Sequence, residues 1–161
     1  MEFELVVSSS AVGEANFHLQ FTPAYRRGIF ADPLVRELTL AYILTKLKQF
    51  KIVLLGYGFG SDHLHLFLGN VRWVGEIELV RQIKGFSSYM MRRGHFYMFQ
   101  DELWGDKFWS EGHFYRSCGA VNNESMKWYV EEGQKKHWKQ FTYEQYCVMK
   151  NQSLLTDFAT A

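Results

Sequence analysis

The chain is poor in cysteine, in proline and in net charge. It has 161 residues, of which two are cysteines and two are prolines, and its net charge is +1. Cys118 and Cys147 lack the CxxC spacing of metal or redox sites, so we interpret them as free thiols of a reducing compartment. A charge near zero gives no overall basic field, although it remains compatible with a local basic patch.

Membrane and secretion features are also missing. No apolar run approaches the roughly 20 residues that span a bilayer, and the N-terminus lacks the basic region of a signal peptide. We therefore expect a cytoplasmic protein. Apolar residues make up 47% of the chain, which is too many for a disordered chain and enough for one packed domain.

The hydrophobic pattern predicts alternating strands and helices. We expect strands at 16–22, 51–59, 61–69 and 108–117, with helices from Asp32-Pro33 to about 49, at 75–93 and at 122–138. The order β-α-β-β-α-β, followed by a helix, is typical of an α+β ferredoxin-like fold, in which two helices cover one face of an antiparallel sheet. Residues 1–15 are expected to be a lead-in, 16–138 the domain and 139–161 a C-terminal extension.

The most informative segment is His63-Leu64-His65, inside a predicted central strand. Because a strand alternates its side chains, His63, His65 and Phe67 share one face, while the leucines between them share the other. The leucine face is expected to join the core. Two imidazoles about 7 Å apart on a rigid strand can bind one cation.

The predicted third helix places a tyrosine on its apolar face. Tyr129 shares that face with Met126, Val130, Gly133 and His137 at helical spacing. A phenol is a weak nucleophile at neutral pH, since its pKa is about 10. Beside a metal ion that polarises a phosphate, it can attack phosphorus directly.

Five segments stand in a distinctive order, and together they resemble a known family. They are Tyr25-Arg26-Arg27, Asp62-His63-Leu64-His65-Leu66, Ile83-Lys84-Gly85, the aromatic block from Leu103-Trp104-Gly105 to Gly112-His113-Phe114, and Lys127-Trp128-Tyr129-Val130-Glu131. The chain resembles the single-tyrosine HUH transposases of insertion sequences, where HUH denotes His-hydrophobic-His. The resemblance covers roughly residues 16–137.

The resemblance implies a transposase that cleaves and rejoins single-stranded DNA at hairpin-marked ends. His63, His65 and a third side chain would hold Mg²⁺ or Mn²⁺, and Tyr129 would form a 5′-phosphotyrosine. The family further implies a homodimer in which the tyrosine of one subunit serves the histidines of the other, with no nucleotide cofactor. Such a protein would associate with the nucleoid.

The third metal ligand departs from the family pattern. The family usually has Gln four residues after the tyrosine, but here that position is Gly133, and Gln134 comes one residue later. In a regular helix Gln134 is rotated about 140° from Tyr129. A π-bulge near Gly133 would bring Gln134 back to the face of Tyr129. Alternatively, Glu132 could supply an oxygen ligand, so either residue can be the third ligand.

Basic residues cluster on the first loop and the second helix. We interpret them as phosphate contacts, with ordinary solvated charge as the alternative. The proposed DNA-binding residues are Arg26, Arg27, Lys84, Arg92 and Arg93. Three histidines receive no functional role: His18, His113 and His137.

Three other functions compete with the transposase. A domesticated relative acting on palindromes of its host genome would have the same motifs. A non-catalytic single-stranded DNA or RNA-binding module could use the same type of sheet, but it would need stacking aromatics where this chain has His-Leu-His. A phosphoesterase using water would need more acidic or histidine ligands than the sequence offers.

Overall fold

The structure, a computed structural model, describes residues 6–7, 12–13 and 15–118. The side chains discussed below belong to residues 15–117. The predicted third helix and C-terminal extension lie outside the described residues, and so do Tyr129, Glu132 and Gln134.

Four strands and two long helices form the described core. The short strands β1 (Val6–Val7) and β2 (Val12–Gly13) pair with each other inside the expected lead-in. The remaining elements are β3 (Asn16–Phe21), α1 (Pro33–Gln49), β4 (Val53–Phe59), β5 (Leu64–Gly69), α2 (Glu76–His95) and β6 (Phe114–Cys118). Single 3₁₀ turns lie at Ala24–Arg26, Ile29–Ala31 and Phe96–Met98.

The main sheet has the strand order β4-β5-β3-β6, and every neighbouring pair is antiparallel. The two central strands are therefore β3 and β5, which are the first and third strands of the predicted pattern. This order and the packing of α1 against α2 confirm the α+β ferredoxin-like prediction.

The first helix begins where the sequence predicts. The Asp32 carboxylate accepts a hydrogen bond from the Leu34 backbone N–H at 2.8 Å, and Pro33 occupies the first helical position. A buried stripe then repeats every fourth residue and faces the sheet and α2; it consists of Val35, Thr39, Ile43 and Leu47.

The leucine row of β5 forms the centre of the core, as predicted. Leu64, Leu66 and Leu68 are fully buried, and the register pairs them with Phe21, Leu19 and Phe17 of β3. Helix α2 covers this surface with the buried side chains of Leu79, Val80, Ile83 and Met91.

The prediction of a strand from residue 108 is wrong, because β6 begins only at Phe114. Phe108 and Trp109 are buried in the core, and Trp109 forms a single β-bridge with Pro23. Two backbone hydrogen bonds of 2.9 Å hold the segment there, from Ala24 N to Phe108 O and from Ser110 N to Thr22 O. The apolar residues that imitate a strand pattern are thus core aromatics of an irregular segment.

A buried hydrogen-bond chain ties this aromatic segment to α2. The Trp109 indole N–H donates to Ser87 Oγ at 2.9 Å, and Ser87 Oγ donates to Ile83 O at 2.7 Å. Because the serine and the indole are both buried, the chain satisfies a donor that water cannot reach.

We predict that Ser87→Ala lowers the free energy of unfolding by about 1–3 kcal/mol, because the buried indole N–H loses its acceptor. Urea unfolding measures the loss. The matched control is Ser88→Ala at the neighbouring, half-buried position, where we expect little change. Equal destabilisation by the two variants would contradict this role of Ser87.

Candidate metal centre

The sheet surface opposite the leucine row carries three imidazoles. We call it the histidine face, defined by His18 and Gln20 of β3, His65 and Phe67 of β5, and His63 just before β5. The register places Gln20 directly opposite His65 and His18 directly opposite Phe67. His18, His65 and Phe67 are 0%, 4% and 1% exposed, so these three side chains are as buried as the leucines of the core face.

The first imidazole of the predicted pair is oriented by an ion-paired carboxylate. His63 Nδ1 lies 2.8 Å from Asp62 Oδ1, and the other Asp62 oxygen is 3.3 Å from the Arg26 guanidinium. A carboxylate accepts only, so Nδ1 carries the proton. Partial burial raises the pKa of Asp62, but the hydrogen bond from His63 and the charges of His63 and Arg26 outweigh it, and the pKa is lowered overall.

The second imidazole is oriented by a histidine from the neighbouring strand. His65 Nδ1 and His18 Nε2 are 2.8 Å apart, and the two rings stack with centroids 5.0 Å apart. Burial, followed by the Arg116 charge, lowers the pKa of His18 to about 3. Burial, with His18 and His63 nearby, holds the pKa of His65 well below its usual value. Both rings are therefore neutral near pH 7, and the neutral imidazole is the form that binds metals.

The two predicted ligands fit one divalent cation. The centroids of the His63 and His65 rings are 5.3 Å apart, with the ring planes nearly perpendicular. Bonds between a metal and an imidazole nitrogen are about 2 Å long, so a nitrogen of each ring can reach a shared ion. With Nδ1 of each ring hydrogen-bonded, Nε2 is the nitrogen that would bind, as is usual for metal-binding histidines.

His63 and His65 alone do not complete a coordination sphere, which needs further nitrogen or oxygen ligands. Within the part that the structure describes, no group of three or more His, Cys, Asp or Glu side chains could hold a metal ion. His18 does not complete the site, since its Nε2 is already hydrogen-bonded to His65. The predicted third ligands, Gln134 and Glu132, lie outside the described residues.

Glycines of β4 flank the histidine face. Gly58 pairs with His65 and Gly56 with Phe67, so β4 places no side chain beside either residue on this face. At Gly60, an added Cβ would lie 2.6 Å from both His63 Nδ1 and His63 Nε2. The His63 ring therefore leaves no room for a side chain at Gly60. Strand glycines such as Gly56 and Gly58 often mark a close approach of another backbone or a ligand.

The first loop brings one of the predicted DNA-binding arginines, Arg26, to the metal centre. Arg26 contacts Asp62, which in turn contacts His63, and Arg27 is exposed next to it. Tyr25 and Arg26 both adopt left-handed backbone conformations, with φ of 57° and 53°. Such conformations cost about 1–3 kcal/mol each in residues other than glycine, and they tend to cluster at functional sites.

Lys84 of α2, also predicted to bind DNA, holds the segment before β6. Its ammonium group donates to Ser110 O at 2.9 Å and to Gly112 O at 2.6 Å, and it lies over the Phe21 ring. Partial burial lowers its pKa to about 8. The structure therefore gives Lys84 an internal structural contact.

The two arginines at the end of α2 also make internal contacts. Arg92 donates to Leu103 O at 3.4 Å and to Lys107 O, which fixes the aromatic segment after the helix. Arg93 is exposed and donates to the hydroxyl of Tyr89. Three of the five predicted DNA-binding residues are exposed: Arg26, Arg27 and Arg93. Of these three, Arg26 lies next to the histidines through its contact with Asp62.

The residue that the sequence reasoning missed is His18. Alternation in β3 places His18 and Gln20 on one face and Phe17, Leu19 and Phe21 on the other, as the sequence pattern indicates. The ferredoxin-like order makes β3 a neighbour of β5, so the sequence could have predicted that His18 and His65 share a face. The sequence could not have predicted the register that brings the two rings into contact.

Comparison with known proteins identifies the family. A family model described as "Transposase IS200 like" matches residues 11–133, so the chain belongs to the IS200-like transposase family. A transposase acts on DNA, and this gives the substrate class. The matched range includes the histidine pair and Tyr129.

A solved structure has the same fold. It is the crystal structure of a proposed transposase from Deinococcus radiodurans R1, with a TM-score of 0.63 and 20% sequence identity. The match covers 81% of this chain and 98% of that one. No protein of curated function matches the sequence. Among the described helices, none is both long and apolar enough to cross a bilayer.

We predict that Gly60→Ala displaces the His63 ring, because the new methyl group would overlap the imidazole. Imidazole NMR chemical shifts of His63 measure the displacement. The control is Gly85→Ala on α2, where an added Cβ meets no atom within 4 Å and where we expect helix stabilisation of about 0.5–1 kcal/mol. Unchanged His63 shifts in a folded Gly60→Ala protein would contradict the close packing.

Proposed function

We propose that this transposase cleaves and rejoins single-stranded DNA at hairpin-marked ends, using Tyr129 as the nucleophile and His63 and His65 as ligands of Mg²⁺ or Mn²⁺. The observation that supports this most strongly is the pair of perpendicular imidazoles 5.3 Å apart, each with its Nδ1 in a hydrogen bond. Buried imidazoles oriented by a hydrogen bond at the other ring nitrogen are typical metal ligands.

The chemistry follows from these ligands and from a phenol. A divalent cation held there would polarise the scissile phosphate and stabilise the charge that develops on its oxygens. The Tyr129 oxygen forms a bond to phosphorus, and the bond from phosphorus to the 3′ oxygen breaks. The leaving strand takes up a proton and ends in a 3′-OH, while the other strand stays attached as a 5′-phosphotyrosine.

Rejoining needs no external energy source. One phosphoester bond is exchanged for another, so the 3′-OH of a second strand can attack the phosphotyrosine and release Tyr129. This accounts for the expectation that no nucleotide cofactor takes part. The same residues would serve both directions, because a cation held by His63 and His65 would stabilise the charge on the same phosphate in each.

The third ligand is proposed to be Gln134 or Glu132, both close to Tyr129 in sequence. The side-chain-free flank made by Gly56 and Gly58 supports a close approach to His65 by a chain segment or by DNA. In the proposed homodimer, the tyrosine of one subunit serves the histidines of the other.

The proposed DNA contacts divide into two groups. Arg26 and Arg27 are exposed on the first loop near His63, where they can contact phosphates on either side of the cleaved bond. Arg93 is exposed on α2. Lys84 and Arg92 are proposed to act by holding the segment between α2 and β6 in place, with any phosphate contact secondary to that role.

We predict that the protein forms an SDS-resistant adduct with a single-stranded hairpin DNA in Mn²⁺. A 3′ label should appear in the adduct and a 5′ label should not, because the protein stays on the 5′ phosphate of the downstream fragment. Tyr129→Phe should abolish the adduct, whereas the control Tyr143→Phe should retain it. An adduct that persists in Tyr129→Phe would refute the assignment of the nucleophile.

We also predict that His63→Ala and His65→Ala retain hairpin binding but lose cleavage by at least about 100-fold, because metal stabilisation of the transition state is worth several kcal/mol. Gel shift and cleavage assays measure the two properties separately. Parallel loss of binding and cleavage would make these histidines structural.

The same assays can identify the third ligand. The variant that removes it, Gln134→Ala or Glu132→Ala, should need a higher Mn²⁺ concentration for half-maximal cleavage. An unaltered Mn²⁺ dependence in both variants would exclude both residues as ligands.

A further inference from the structure

We propose that His18 is a positioning residue that holds His65 in the tautomer with its proton on Nδ1, and so makes Nε2 the metal-binding atom. This inference rests on the proposed function of the His63–His65 pair. It gives a role to a buried imidazole that is neither a ligand of the ion nor a group exposed to DNA.

The contact between the two histidines follows from the sheet register. His18 lies opposite Phe67, so His65 is its diagonal neighbour across the central pair of strands. Aromatic side chains reach each other at diagonal positions, and here the rings stack at 5.0 Å with an angle of 21° between their planes. The distance of 2.8 Å between His18 Nε2 and His65 Nδ1 is that of a hydrogen bond.

Proton counting leaves two arrangements of this hydrogen bond. A hydrogen bond between two ring nitrogens contains one proton, which belongs either to His65 Nδ1 or to His18 Nε2. In the first arrangement, His65 Nε2 has the lone pair that a metal needs. In the second, neutral His65 carries its proton on Nε2 and cannot bind a metal through that atom. The proposed metal site therefore requires His18 to be the acceptor.

The two ligands are then positioned in matching ways by different groups. The carboxylate of Asp62, next in sequence, holds the Nδ1 proton of His63, and the imidazole of His18, on the adjacent strand, holds that of His65. Removing the His18 acceptor would leave a buried N–H donor on His65 and would allow the ring to rotate or change tautomer. Losses of 10- to 100-fold in metal affinity are typical when such an outer partner is removed.

Two substitutions separate the acceptor from the volume of the side chain. His18→Gln can place an amide oxygen near the position of Nε2, whereas His18→Leu fills much of the space without an acceptor. Histidine ¹⁵N NMR of the metal-free full-length chain reports the tautomer of His65, and calorimetric titration with Mn²⁺ alone reports affinity. The matched control is His113→Gln, which removes a histidine that pairs with Glu76 instead.

We expect His65 to be protonated on Nδ1 in the wild-type chain. His18→Leu should change that tautomer population and weaken Mn²⁺ binding about 10- to 100-fold, while His18→Gln and His113→Gln should stay close to wild type. A His65 protonated on Nε2 in the wild-type chain would overturn the proposal, even if His18→Leu failed to fold.

The outcomes distinguish this inference from the proposed function. Wild-type Mn²⁺ affinity in a folded His18→Leu protein would overturn the role of His18, and the metal site would stand provided that His65→Ala no longer binds Mn²⁺. Wild-type Mn²⁺ affinity in His65→Ala would overturn the metal site itself.

Discussion

A β-strand presents its side chains to two faces only, and the central strand β5 uses one face for the core and carries a candidate metal ligand, His65, on the other. Its leucines pack under α1 and α2, and its other row carries His65 and Phe67. The burial of the leucines therefore fixes where the histidines point. A shift of one residue in the register would turn His65 into the apolar core and move the leucine row to the histidine face, so the stability of the fold and the placement of the histidines depend on the same pairing.

Burial sets the chemical state of His18 and His65. Desolvation disfavours charged imidazolium, and hydrogen bonds from His63 to Asp62 and between His65 and His18 fix the rings in direction. The result is a pair of oriented imidazoles, of which His65 is held in the neutral form. Of the aromatic rings on this face, Phe67 is buried, whereas Phe114 of β6 packs edge-on against His18 and is 43% exposed. The oriented imidazoles, rather than a lack of exposed aromatics, favour catalysis over a module that stacks bases.

Local patterns were enough to predict much of this fold. Alternation around His63-Leu64-His65 predicted the two faces of β5, and Asp32-Pro33 predicted the start of α1. Strand alternation and a helix cap can be predicted in this way because each depends on neighbouring residues only. Phe108 and Trp109 were misassigned to a strand because apolar residues that fill a core can repeat like strand residues. The contact between His18 and His65 depends on the register of two strands that are far apart in sequence. The internal roles of Lys84 and Arg92 depend in the same way on backbone carbonyls that are far away in sequence. Single-residue patterns contain no such information.

We propose that His63 and His65 bind one divalent cation together. Pulsed electron paramagnetic resonance of Mn²⁺ bound to the full-length chain, prepared with ¹⁵N-labelled histidine, can measure this shared coordination. We expect hyperfine coupling of the ion to two directly bound imidazole nitrogens. A Mn²⁺ ion coupled to no histidine nitrogen, surrounded by oxygen ligands alone, would contradict it.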